Sequence, residues 1–100
     1  MQVKVTEPAK QRLKIIYQYY KAEASVKTAQ KIKDSIITKI KSLKKFPLRG
    51  NIEENLIELD QEHRYVIVSH FKIIYLISDT TIYITDIFDT RQNPEKMNKV

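Results

Sequence analysis

The sequence has no cysteine, one glycine and three prolines in 100 residues. Without cysteine there is no disulfide framework, no thiolate nucleophile and no cysteine-based metal site. Two histidines, His63 and His70, are too few for a zinc site. The scarcity of Gly and Pro leaves little room for long flexible loops. No apolar run approaches the ~18 residues of a membrane span, and the opening MQVKVTEPAK lacks the apolar stretch of a signal peptide. These absences predict a cytoplasmic protein with no membrane partner, no metal and no cofactor. A chain of this length makes one domain, 1–100, with a single core.

Charge is unevenly placed. Residues 1–49 carry 13 Lys/Arg against Glu7, Glu23 and Asp34, a net of +10, and residues 50–100 carry 5 against 9 Asp/Glu, a net of −4. A basic half attracts nucleic acid or an acidic partner. Lysine-rich helices with solvated outer faces give the same count.

Gln2 to Val5 alternates polar and apolar and reads as a short strand. Thr6-Glu7-Pro8 starts a helix, with Thr6 as N-cap and Pro8 where its missing N–H costs nothing. Ala9, Leu13, Ile16, Tyr17 and Tyr20 give that helix one apolar face. Tyr17, Tyr19 and Tyr20 cluster at its end and are expected to pack on a neighbour. Ser25 caps a second helix whose apolar residues, Val26 to Leu43, keep helical spacing and which should end near Lys45, because Pro47 disfavours helix at Phe46. The short link between the two makes an αα-hairpin. Pro47 to Asn51 switches the chain to strand. The acidic stretch 52–62 is weakly patterned, and 56–59 is expected to extend the first strand after it.

Residues 64–91, RYVIVSHFKIIYLISDTTIYITDIFDTR, organise the rest. Three strand patterns (65–68, 71–77 and 82–88) are joined by short turns at Ser69-His70 and Asp79-Thr80. Alternation places Ile82, Ile84 and Phe88 on one face and Tyr83 and Ile87 on the other. The fold class is therefore α+β, β-α-α-β-β-β, with a helical hairpin on one face of an antiparallel sheet. Both faces of the central strand are apolar, so the second face needs a cover. Unless 93–100 folds back, that cover is a partner or a second copy, and the chain alone is expected to dimerise or to be poorly soluble.

The polar residues of this segment are the candidates for chemistry. Arg64 and Arg91 could meet at one end of the sheet. Lys72 interrupts an apolar strand, and His70 has the ordinary pKa of a general base near neutrality. Asp86 or Asp89 could simply pair with Arg91. Lys44, Lys45 and Arg49 gather at the end of the long helix and suit a phosphate or target contact.

The element order, the hairpin ending Phe46-Pro47 then Arg49-Gly50, and the blocks HFKIIYLI and DIFDTRQNP resemble the RelE/ParE superfamily of type II toxin–antitoxin toxins. The resemblance spans nearly the whole chain. It implies a small basic toxin neutralised by a cognate antitoxin that lies across it. RelE-like members cleave mRNA on the ribosome, and ParE-like members poison DNA gyrase. On the nuclease reading the site would hold Arg64, Lys72, Arg91 and His70. The paired lysines expected around 65–67 are missing, however, and no Tyr follows Arg91. Arg64, His70 and Asp89-Thr90-Arg91 resemble the ParE-like pattern better, with Asp89 where a histidine is usual. On that reading Lys44, Lys45, Arg49, Arg64, Tyr75, Asp89 and Arg91 contact target or partner. A member that only binds its antitoxin is the third alternative.

Overall fold

A computed structural model describes residues 1–99. Strand β1 (Gln2–Val5) leads into helices α1 (Glu7–Glu23) and α2 (Val26–Ser42). The strands β2 (Asn51–Ile52), β3 (Arg64–Val68), β4 (Phe71–Ser78) and β5 (Thr81–Asp89) follow. They form one five-stranded sheet in the order β1-β5-β4-β3-β2. β1 lies parallel to β5, and the remaining pairs are antiparallel. The α+β class and the three-stranded meander stand as the sequence indicates; the two-residue β2 is an addition that its length hides. Among the described residues no helix is long and apolar enough to cross a membrane.

Both helix starts form where their caps predict. Thr6 Oγ1 accepts from the Ala9 N–H and donates to the Ile84 carbonyl at 2.8 Å, so the cap also pins α1 to β5. Ser25 Oγ accepts from the Thr28 N–H at 3.0 Å. α2 ends at Ser42 rather than near Lys45. From Leu43 to Lys45 the N–H groups bond three residues back instead of four, the tightened last turn that satisfies orphan carbonyls. Stretch 56–59 does not extend β3. A 3-10 turn, Glu54–Leu56, stands there and aims Leu56 into the protein.

The helical hairpin covers one face of the sheet. Ala9, Ile16, Ile36, Ile40 and Leu43 pack on Val66, Phe71, Ile73, Tyr75, Ile82, Ile84 and Ile87. Ile84 and Ile87 share this face although three positions apart. The register slips between Ile74 and Tyr75, whose partners are Asp86 and Ile84, so Thr85 is an extra residue. A bulge of this kind reverses the side-chain alternation beyond it. Ile87 therefore faces the helices and Phe88 faces away, the reverse of what alternation predicts.

The second face is closed by the chain itself. Leu56, Ile74, Phe88 and Met97 form a buried cluster, with Leu59 and Tyr65 packed against it. Met97 arrives because the tail does fold back: Arg12 Nη2 donates to the Lys96 carbonyl at 2.9 Å, and the Asn98 N–H donates to Asp86 Oδ2 at 2.9 Å. The expectation of a bare face awaiting a partner or second copy is thereby corrected, and with it the reason to expect dimerisation or poor solubility.

Candidate functional site

His70 occupies the second position of the β3–β4 turn, and Ser69 before it has φ 55°. The turn is fastened by Thr90, whose N–H and hydroxyl both donate to the His70 carbonyl at 2.9 and 2.7 Å. This places the end of β5 beside the turn. His70 Nε2 lies 3.1 Å from the Tyr20 hydroxyl and 3.9 Å from Asp89 Oδ2. Arg91 grips Asp89 with its Nη2 and Nε at 2.7 and 3.0 Å, and also reaches the Tyr20 hydroxyl at 3.4 Å. The Phe71 ring, 4.2 Å from the imidazole, supports the group from below.

Three residues singled out from the sequence, His70, Asp89 and Arg91, thus meet, and Tyr20 joins them from the end of α1. The helix-end tyrosine cluster was the only available signal for Tyr20. The hydrogen bonds from Arg91 hold the Asp89 carboxyl below its ordinary range, and Asp89 in turn holds the guanidinium protonated. A cavity of about 330 Å³ opens beside them, lined by Ile16, Phe71 and Ile87 with Arg12 and Arg91 among its polar groups. Arg91 is 61% exposed and Asp89 only 18%. The arrangement offers a fixed cation above an apolar hollow.

A second cationic corner lies at the far end of α2. Tyr75 is fully buried, and its hydroxyl donates to the Pro47 carbonyl at 2.8 Å while accepting from the Gly50 N–H at 2.9 Å. Burial pushes its pKa up. Gly50 is required for space rather than for backbone freedom: an added Cβ would sit 2.5 Å from the Tyr75 hydroxyl and 2.7 Å from the Tyr65 carbonyl. Arg64 donates to the Gly50 carbonyl at 2.8 Å and pairs with Glu62 at 2.9 Å. The clasped loop displays Phe46 and Leu48, 48% and 69% exposed. The Arg49 guanidinium lies 4.5 Å from the Phe46 ring centre and the Lys45 amine 5.9 Å. Lys44, Lys45, Arg49 and Arg64 are thus brought to one corner; Tyr75 lies behind it as its internal support.

Arg64 and Arg91 do not meet. Arg64 stands opposite Tyr75, and Asp89 stands opposite Phe71. That is roughly 13 Å along the strand and about 10 Å across it. Lys72 is separate from both, on the second face. Its amine contacts Glu53 at 2.6 Å and lies 4.2 Å from the Tyr65 ring centre. Glu53 is 1% exposed, hidden in the sequence among the five carboxylates of 53–62. Asp86, fully buried, pairs with Arg12 at 3.2 Å rather than with Arg91, and burial raises its pKa. No group of three or more His, Asp or Glu able to hold a metal ion occurs among the described residues.

Comparison with known proteins adds two findings. A family model described as "ParE toxin of type II toxin-antitoxin system, parDE" matches residues 3–94. A solved structure titled "Chromosomal ParDE TA system from P. aeruginosa" is similar in fold, with a TM-score of 0.75 at 22% identity over 89% of this chain and 95% of that one. No curated protein matches in sequence.

Proposed function

The chain belongs to the ParE family of type II toxin–antitoxin toxins, and from that premise we propose that it inhibits DNA gyrase and is held inactive by a cognate antitoxin in the cytoplasm. The single observation that carries the gyrase reading over RNA cleavage is the dispersal of the nuclease candidates. Cleavage of RNA needs a base, a cation and an acid within hydrogen-bond reach of one phosphodiester. Lys72 is tied to Glu53 on the second face, Arg64 to Glu62 and Gly50 at a corner, and only His70 and Arg91 share a site. No single phosphate reaches all four.

The geometry suits binding. Two cationic patches have apolar neighbours: Arg91 above its hollow at the end of α1, and Lys44, Lys45 and Arg49 around Phe46 and Leu48 after α2. Arginine beside an exposed aromatic ring is the composition of an interface anchor. On this reading the clasped loop 46–50 contacts the target, and Tyr75 and Gly50 keep its shape. Inducing the protein in cells tests the proposal: DNA breaks and an SOS response with intact mRNA are expected, and codon-positioned mRNA cuts would refute it. Replacing Phe46 and Arg49 together by alanine should abolish growth arrest without unfolding the chain, read by thermal melting of the purified variant.

A further inference from the structure

The outer seam of the helical hairpin is lined with lysine. Along α1, Lys10, Lys14, Tyr17 and Lys21 recur at steps of four, three and four, which is one stripe of a helix. The stripe is about 16 Å long at the helical rise per residue. Lys33 meets it from α2: a hollow of about 260 Å³ between the helices is lined by Lys10, Leu13, Lys14, Tyr17 and Lys33. Lys41 follows Lys33 by eight residues, so it lies on the same side of α2, toward the Lys10 end of α1. Unlike the hollow beside Arg91 and the groove between α2 and β3, this one holds no carboxylate; Asp34 lines that groove instead. Lys10 reaches the exposed Glu7 at 3.4 Å, and the other four lysines pair with no carboxylate among the described residues.

We propose that this seam holds the phosphodiester backbone of duplex DNA without reading its sequence. None of the large hydrophobic residues exposed on the described surface lines the hollow. It therefore has neither the apolar anchor of a protein interface nor one that could enter a membrane. The Tyr17 ring is half-buried, and the Lys33 amine lies over it, 5.6 Å from the ring centre. That ring gives an unpaired base no free face to stack on. What remains is a row of point charges on two packed helices. Each strand of a duplex carries a phosphate about every 3.4 Å, so the α1 stripe faces about five of them. The contact deepens the gyrase reading only by taking its DNA from there, as the segment that enzyme holds. The charge and shape of the seam stand apart from that reading.

The test is fluorescence anisotropy of the purified chain with a labelled DNA duplex, from about 50 to about 200 mM salt. Contacts from all five lysines should make the affinity fall roughly 500-fold over that range. Lys10→Gln/Lys14→Gln/Lys33→Gln leaves two of them and should reduce the fall to roughly tenfold. Glutamine is as good a helix former as lysine. If the triple variant fails to fold, Lys10→Gln/Lys14→Gln, at two exposed positions, should give a fall of roughly 40-fold. Lys27→Gln/Lys31→Gln/Lys39→Gln removes as much charge from the groove between α2 and β3 and should keep the steep dependence. No binding at the lowest salt, a dependence unchanged by the loss of Lys10 and Lys14, or equal flattening in both triple variants would overturn the proposal. So would tighter binding to a single strand or to an RNA duplex of the same length, or polyglutamate that displaces the duplex as well as unlabelled DNA does. No gyrase is present in this assay. A chain that binds DNA in this way but spares gyrase would refute the target and leave the seam. One that inhibits gyrase with a flat salt dependence would refute the seam alone.

Discussion

Lys72 and Tyr75 show how a side chain that reads as a site residue can be internal support. A lysine in an apolar strand looks functional because an unpaired charge there would be costly. The structure supplies its partner from nineteen residues earlier, the buried Glu53. Lys72→Met leaves that carboxylate buried without its cation and should cost about 3–5 kcal/mol in urea denaturation. Lys72→Met/Glu53→Leu should recover at least half, since the charge goes with its partner. Tyr75→Phe keeps the ring but leaves the Pro47 carbonyl and the Gly50 N–H unpaired. It should cost about 1–3 kcal/mol and loosen loop 46–50, seen as faster amide exchange at Gly50. Neither set of partners was legible: Glu53 is one of five similar carboxylates, and Tyr75 is held by the Pro47 carbonyl and the Gly50 N–H, backbone groups of a kind every stretch of chain carries. Asp86 and Asp89 pull stability in opposite directions. The pKa of Asp86 is raised above the ordinary 3.8 by burial, so its contribution is present below that pH and lost as pH rises through the raised folded value. The pKa of Asp89 is lowered by Arg91, so its contribution is present above 3.8 and lost as pH falls through the lowered value. Asp86→Asn removes the first effect. Its stability, measured by denaturation from pH 4 to 6, should therefore rise more steeply with pH than that of the wild type.

Helices and strands were readable where caps and periodicity agree. Thr6, Ser25 and the Ile-rich face of α2 lie where the sequence puts them, because capping and amphipathic spacing act over a few residues. The failures share a cause: they depend on contacts distant in sequence. Thr85 looks like any strand residue, yet its bulge moves Phe88 to the opposite face and Ile87 onto the helices. The tail carries almost no periodicity; hydrogen bonds to Arg12 and Asp86 and the burial of Met97 bring it home. β5 offers them a place because β1 pairs with it only as far as Ile84. Removing 94–100 should expose Ile74 and Phe88. The shortened chain is expected to bind a hydrophobic dye and self-associate at concentrations where the full chain stays monomeric in sedimentation. Equal behaviour of the two would contradict the tail's part in closing the second face. Met97→Ala alone should cost about 2 kcal/mol, at the low end for a buried methionine because the tail can adjust.

The fold as a whole was legible because its blocks, HFKIIYLI and DIFDTRQNP above all, are long and carry the pattern of the sheet. The working surface was half legible. His70, Asp89 and Arg91 stood out as polar residues at strand ends, but Tyr20 lies fifty positions from His70, and only the placement of α1 on the sheet unites them. The separation of Arg64 from Arg91 likewise follows from register, which composition does not encode. The lopsided charge has a structural counterpart: α2 presents lysines to the groove beside β3 and a cationic corner at its end. On the proposed reading the molecule acts by binding through its surface; Arg64 and Lys72 stand apart from each other and from the group of His70 and Arg91. The decisive measurement is incubation of the purified chain with DNA gyrase, ATP and supercoiled plasmid, beside a ribosome translation reaction followed by primer extension. Gyrase-dependent cleaved plasmid and uncut mRNA are expected. Codon-positioned mRNA cuts with gyrase unaffected would contradict gyrase inhibition.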